Sequence, residues 1–212
     1  MDRLRRAGLD SLGGLSDRGL GEPVTDHPTT WVRHACIDTI DLYVKTYDYP
    51  TWRDRGRGLG RNTALAASRP AREHAALKWL QAHGFGGPQG LAVVEARRLG
   101  FLRRATLVTA AWPGQSVDRL LPGLGHQDRA TLIADLRRFV DRLHREGFRD
   151  RNLDLRNLLA RRNLGERQRE WEIVKIDSPR FRLVAAGEPD DRLARQDQQR
   201  LAASLEALGV PG

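Results

Sequence analysis

The sequence predicts an α+β protein of two small lobes, the first a sheet with one helix and the second mainly helical. Three observations carry that expectation. Between Thr30 and Tyr47 β-branched and aromatic residues are dense, with Leu42 and Val44 alternating with Tyr43 and Lys45, and LAVVEARRLG and RRATLVTA read as two more strands around a turn. From Asp128 to Glu146, Leu132, Leu136, Phe139, Val140 and Leu143 recur at helical spacing. After that helix, a polar stretch from Gly147 leads into an apolar strand that stops on a carboxylate, Asp177. The expected organisation is an N-terminal extension over 1–29, a sheet-and-helix lobe over 30–112 and a helical lobe over 113–212.

Composition narrows the function classes. At 212 residues with a net charge of +9, the chain is long enough for a proper core and favours an anionic partner. Of its 36 basic residues only Lys45, Lys78 and Lys175 are lysines. Lysine and arginine are not interchangeable at a tight site, so each of the three invites attention. The single cysteine, Cys36, excludes an internal disulfide, and no Cys/His spacing suits a metal. A reducing cytoplasm fits, and no apolar run reaches membrane-spanning length. Leu4, Leu9, Leu12 and Leu15 with Arg3, Arg5 and Arg6 sketch a weak membrane-surface helix, which Gly13-Gly14 opposes; a frayed terminus is the expectation.

In chain order, the Thr30–Tyr47 stretch reads as a hairpin whose second strand carries Lys45. Residues 50–70 form a Gly-rich basic loop without the Gly-Lys-Ser/Thr of a phosphate loop; Arg53, Arg55, Arg57 and Arg61 there could touch an anionic acceptor. Ser68 caps a helix with Pro70 in its first turn, Glu73 in its early turns, Ala76, Leu77 and Leu80 inward, and Gly84 at its end. Two more strands follow; Leu107 and Val108 lead into Ala110, Ala111 and Trp112, and Pro113-Gly114 breaks the strand. Gly147 ends the Asp128–Glu146 helix, near whose end His144 suits a cap or the surface. The chain after Asp177 closes with an amphipathic helix carrying Leu193, Leu201, Leu205 and Leu208.

The chemistry lies in Gly147–Asp177, which contains GFRDRNLDLRNLLA and WEIVKID. Compared with the protein-kinase catalytic loop, H-R-D-L-x-x-x-N followed by a hairpin ending in a metal-binding Asp, Arg151, Leu153 and Asn157 fall in register and Asp177 takes the metal position. Asp150 replaces the His and Asn152 the catalytic Asp, while a carboxylate appears two residues later at Asp154. Phosphoryl transfer asks a protein chiefly to position ATP and Mg²⁺, so Asn157 and Asp177 suit one shared cation. An amide is a poor base, which makes Asp154 the candidate to accept the attacking hydroxyl's proton. Upstream, Lys45 is placed to grip phosphates and Glu73 to pair with it, although no Gly-rich loop precedes Lys45.

Lys45, Glu73, DRNLDLRNLLA and VKID together resemble the lipopolysaccharide kinases, the bacterial Kdo/WaaP family that phosphorylates Kdo or heptose sugars of the lipid A core. Members commonly read H-R-D-L-N-L-R-N-L-L; here LRNLL matches, and Asn152 and Asp154 look like an Asp/Asn exchange. The resemblance implies a small protein-kinase-like fold with a short second lobe, ATP and Mg²⁺ as cofactors, a sugar-hydroxyl acceptor on a glycolipid, and peripheral contact with the cytoplasmic face of the inner membrane. Two other classes stand beside it. A pseudokinase, retained as a nucleotide-binding or scaffolding module, accounts for Asn152 and the absent Gly-rich loop. A nucleic-acid-binding protein rests on charge alone and lacks the interleaved aromatic and basic pattern of a recognised module.

Overall fold

The computed structural model describes residues 11–37, 39–51, 66–163, 171–185 and 191–210. The basic residues Arg53, Arg55, Arg57 and Arg61 and the leading Arg3, Arg5 and Arg6 lie outside them. The chain divides into two units, one made of Met1–Trp79 with Pro88–Trp112, the other of Leu80–Gly87 with Pro113–Gly212.

The first unit is a five-stranded sheet in the order β1-β2-β3-β5-β4. Its strands are β1 (Glu22–His27), β2 (Thr30–Ile37), β3 (Ile40–Asp48), β4 (Gly90–Arg98) and β5 (Phe101–Ala110), and every pairing is antiparallel. A short helix, α1 (Leu12–Leu15), precedes the sheet, and α2 (Arg69–Ala82) comes between β3 and β4. Alternation explains the sheet: Leu42 and Val44 of β3 point into a cluster with Val108 of β5 and Leu15 of α1. Burial of each such side chain contributes about 1.5–3 kcal/mol. At the same level Thr46 and Thr106, directly opposite in register, share a buried hydroxyl hydrogen bond of 2.9 Å.

The 1–29 stretch, read as an extension, is partly built into this unit. Strand β1 pairs with β2, and Leu15 is buried. The misreading has a physical cause. All six residues of β1 are exposed, so this edge strand is held by its ladder and carries no apolar face to betray it. As expected, α2 is capped by Ser68, whose Oγ accepts the Ala71 N–H at 3.1 Å, and it buries Ala76, Leu77 and Leu80. The N–H groups of Ala110 and Ala111 donate to Gln89 and Asp41 carbonyls, so sheet pairing occupies both.

The second unit is organised around α4 (His126–Arg145), which follows a short helix α3 (Val117–Leu120). It buries Leu132, Leu136, Val140 and Leu143, the apolar positions its spacing announced. Two small sheets accompany it: β6 (Gln115–Ser116), β8 (Leu158–Arg162) and β9 (Trp171–Lys175) in the order β6-β8-β9, and β7 (Phe148–Arg149) with β10 (Arg182–Leu183). The helix ends at Gly147, where φ is +85° and a Cβ would lie 2.4 Å from the Val184 carbonyl oxygen. Only glycine meets both demands. The chain turns there into β7, and α5 (Arg192–Glu206) closes the unit. Among the described residues no helix is long and apolar enough to cross a membrane.

Candidate active site

In the first unit, Lys45 Nζ lies 3.1 Å from Glu73 Oε2. The pair joins β3 to α2. Leu107 of β5 and Val32 of β2 flank Lys45 in register, and the Tyr47 ring lies 5.6 Å from its ammonium. Glu73 is buried, and the Lys45 ammonium is one of the groups that compensate its carboxylate. Lys45→Met is expected to cost about 3 kcal/mol, the low end for breaking a buried pair, because Lys45 keeps some exposure. Adding Glu73→Gln should restore part of that loss, since the side chain that Lys45 paired with is then neutral; urea unfolding of the two variants checks it.

In the second unit the loop after β7 draws three of the expected residues together. Asn152 Nδ2 donates to the Asp177 carbonyl at 3.0 Å and reaches its Oδ2 at 3.5 Å. Asn157 Nδ2 donates to the Asn152 carbonyl at 3.2 Å, and the Asn157 carbonyl accepts the Ile176 N–H at 2.9 Å. Asn157 Oδ1 and the Asp177 carboxylate are both hard oxygen donors, and each residue contacts Asn152. Two residues of this loop and strand end, Arg151 (φ +60°) and Asp177 (φ +56°), adopt the left-handed conformation without being glycine. Such residues cost on the order of 1–3 kcal/mol each and persist only where their surroundings hold them. Asn152 is therefore a tie: its amide donates where a second carboxylate would repel Asp177.

Asp154 has a different setting. It caps the 3₁₀ turn Leu155–Asn157 by accepting the Arg156 N–H, and its two oxygens take the Arg156 guanidinium at 3.1 and 2.9 Å. The Arg156 side chain holds the Asp154 carboxyl below its ordinary range, partial burial opposing the shift. A carboxylate so paired is a weaker base than a lone one.

These elements match known proteins. The sequence profile described as "Lipopolysaccharide kinase (Kdo/WaaP) family" matches residues 25–210. The chain belongs to the Kdo/WaaP lipopolysaccharide kinase family. No curated protein matches the sequence. Among solved structures, WaaP in complex with acyl carrier protein is similar at a TM-score of 0.61 and 15% identity, over 87% of this chain and 70% of that one. The Rio2 kinase-ADP/Mg²⁺-phosphoaspartate complex from Chaetomium thermophilum is similar at a TM-score of 0.65 and 17% identity, over 91% of this chain and 57% of that one. The α+β, kinase-like fold is thereby shown.

What holds the loop of this Kdo/WaaP family member was not among the expected residues. Asp197, 1% exposed on α5, accepts the N–H groups of Asp150 at 2.9 Å and Arg151 at 2.8 Å. His144, expected as a cap or surface residue, is instead largely buried with Nε2 3.5 Å from Asp197. Asp191 caps α5 through the Ala194 N–H and pairs with buried Arg149, which keeps the Asp191 carboxyl below its usual range. Asp150 pairs with Lys175 at 2.8 Å, both essentially without exposure. Burial raises the Asp150 carboxyl while the Lys175 ammonium opposes the rise. One sequence signal for Asp197 existed: it lies four residues before Leu201 and eight before Leu205, on the apolar stripe of the helix, where a carboxylate must be buried with partners.

Proposed function

We propose that this chain is an ATP-dependent, Mg²⁺-requiring kinase that transfers phosphate to a sugar hydroxyl of the lipopolysaccharide core or a similar glycolipid, at the cytoplasmic membrane face. The observation that carries the reading is the Asn152 tie, which brings Asn157 and the strained Asp177 together in a member of the lipopolysaccharide kinase family. The donor set fits the ion: one carboxylate and one amide oxygen are hard ligands, few enough for Mg²⁺ to keep its waters and phosphate oxygens. Bound there, Mg²⁺ would neutralise charge on the β- and γ-phosphates. Rio2, a fold relative, is described with ADP and Mg²⁺, which favours the same pair of cofactors.

In this reading Lys45, oriented by Glu73, holds the phosphates, while Asn157 and Asp177 hold the cation. The acceptor oxygen forms its bond to the γ-phosphorus as the bond to the β–γ bridging oxygen breaks, and ADP leaves. The hydroxyl proton passes to Asp154, directly or through one water, once its carboxylate is turned from Arg156. Asn152 positions Asp177 throughout. With ATP and a lipopolysaccharide core acceptor, Asp154→Asn should reduce turnover about 10²- to 10⁴-fold, the usual worth of a general base, with ATP affinity barely changed. Full turnover in that variant would remove the base assignment.

A second reading is favoured by Asn152 and by the Asp154–Arg156 pair: a nucleotide-binding module of the pseudokinase type. It predicts that the wild-type protein binds ATP with Mg²⁺ and transfers phosphate to no sugar, lipid or water.

A further inference from the structure

We infer that the buried Asp150–Lys175 ion pair is a positioning device for the cation ligands, holding Asp177 and Asn157 in register so that Mg²⁺ can strengthen nucleotide binding. The inference rests on the reading of Asn157 and Asp177 as the Mg²⁺ residues.

Stability alone does not account for the pair. Two charges with side-chain exposures of 0% and 1% lose their hydration, and a well-packed apolar pair of the same volume is often as stable. What an apolar pair could not do is hold backbone. Lys175 Nζ donates to the Ile176 carbonyl, in the peptide that leads directly into Asp177. The Ile176 N–H is held by the Asn157 carbonyl at 2.9 Å. Both backbone polar groups of Ile176 are therefore committed, one to Asn157 and one to the ammonium that Asp150 anchors.

The anchor is itself fixed. Asp150 receives its position from Asp197, which accepts its N–H at 2.9 Å and the next one at 2.8 Å. Contacts thus run from α5 through Asp150 and Lys175 to Ile176 and the strained Asp177. Arg151 and Asp177, the two left-handed residues of the site, each adjoin a group held by this chain of contacts. The residue types agree with the task. Lys175 is one of three lysines among 36 basic residues, and its compact ammonium meets a carboxylate and a carbonyl where a planar guanidinium would need more room and more acceptors.

The test compares ATP affinity by calorimetry with Mg²⁺ and with EDTA in the wild type, in Asp150→Asn/Lys175→Met and in Asp150→Asn. The double variant removes both charges at nearly constant volume and leaves no unpaired ion. Its circular dichroism should match the wild type and its ATP affinity in EDTA should be unchanged, while the gain on adding Mg²⁺ falls about 10- to 100-fold, the usual effect of losing a ligand's supporting partner. A purely structural role would move the melting temperature and leave the ratio of the two affinities alone. A folded double variant with the wild-type Mg²⁺ gain overturns the inference. If the double variant does not fold, the same ratio in Asp150→Asn decides, an unchanged value overturning it. A wild type without any Mg²⁺ gain removes the cation-site reading and this inference with it, and that failure is recognisable because it appears before any substitution.

Discussion

Asp197→Ala is expected to be the most destabilising single change in the second unit, lowering the unfolding free energy by about 3–5 kcal/mol, the worth of two buried hydrogen bonds to a charged acceptor. The loss falls on the Asp150 and Arg151 N–H groups, which the carboxylate alone accepts among the described contacts. Once they are orphaned, nothing balances the left-handed Arg151, and the loop relaxes. At about 2–4 °C per kcal/mol for a chain of this size, the melting temperature should fall by roughly 10 °C. Asp197→Asn keeps one acceptor oxygen and should lose about half as much. Glu206→Ala, an exposed change at the end of the same helix, should be silent. Should Asp197→Ala unfold in urea within 1 kcal/mol of the wild type, about the spread of ordinary surface substitutions, the carboxylate is not what holds the loop.

Asp177→Asn should abolish the stabilisation that ATP with Mg²⁺ confers and leave the apo protein folded. Asparagine is the informative replacement, because like aspartate it tolerates the left-handed conformation that residue 177 adopts, whereas alanine would add strain of its own. What the change removes is the charge that a divalent cation needs. At a ligand concentration 100-fold above Kd the wild type should gain about 2.7 kcal/mol, or roughly 5–10 °C. The variant should gain nothing beyond what ATP gives in EDTA. Replacing Arg55 and Arg57 serves as the control for the net charge of +9. Equal loss in that control would mean that ATP is drawn to a basic surface without a built site.

The residues of the candidate site could be picked out in the sequence because phosphoryl transfer dictates residue types and a loop dictates their spacing. Asn157 and Asp177 stood out because the loop register and the apolar strand Ile173, Val174, Ile176 agree on where each must fall. Lys45 stood out against a background of arginine, and the structure brings it to Glu73. Asp154 was legible as a carboxylate near the expected base. Its engagement with Arg156 was not, because arginine two residues away reads equally well as a solvated neighbour.

By itself the sequence determined the local elements and the family: period two for β2 and β3, helical period for α4, the Ser68 cap, the Gly147 stop, and a match from residue 25 to 210. Those are properties of short windows, where side-chain pattern and backbone conformation are directly linked. Only the tertiary structure decided which charges are buried together. Asp150, in the loop after β7, and Lys175 on β9 are 25 positions apart, and Asp150 and Asp197 are 47 apart. A buried carboxylate looks like any other in sequence. What distinguishes it is the partner that folding delivers, since desolvation forbids the charge to remain without one.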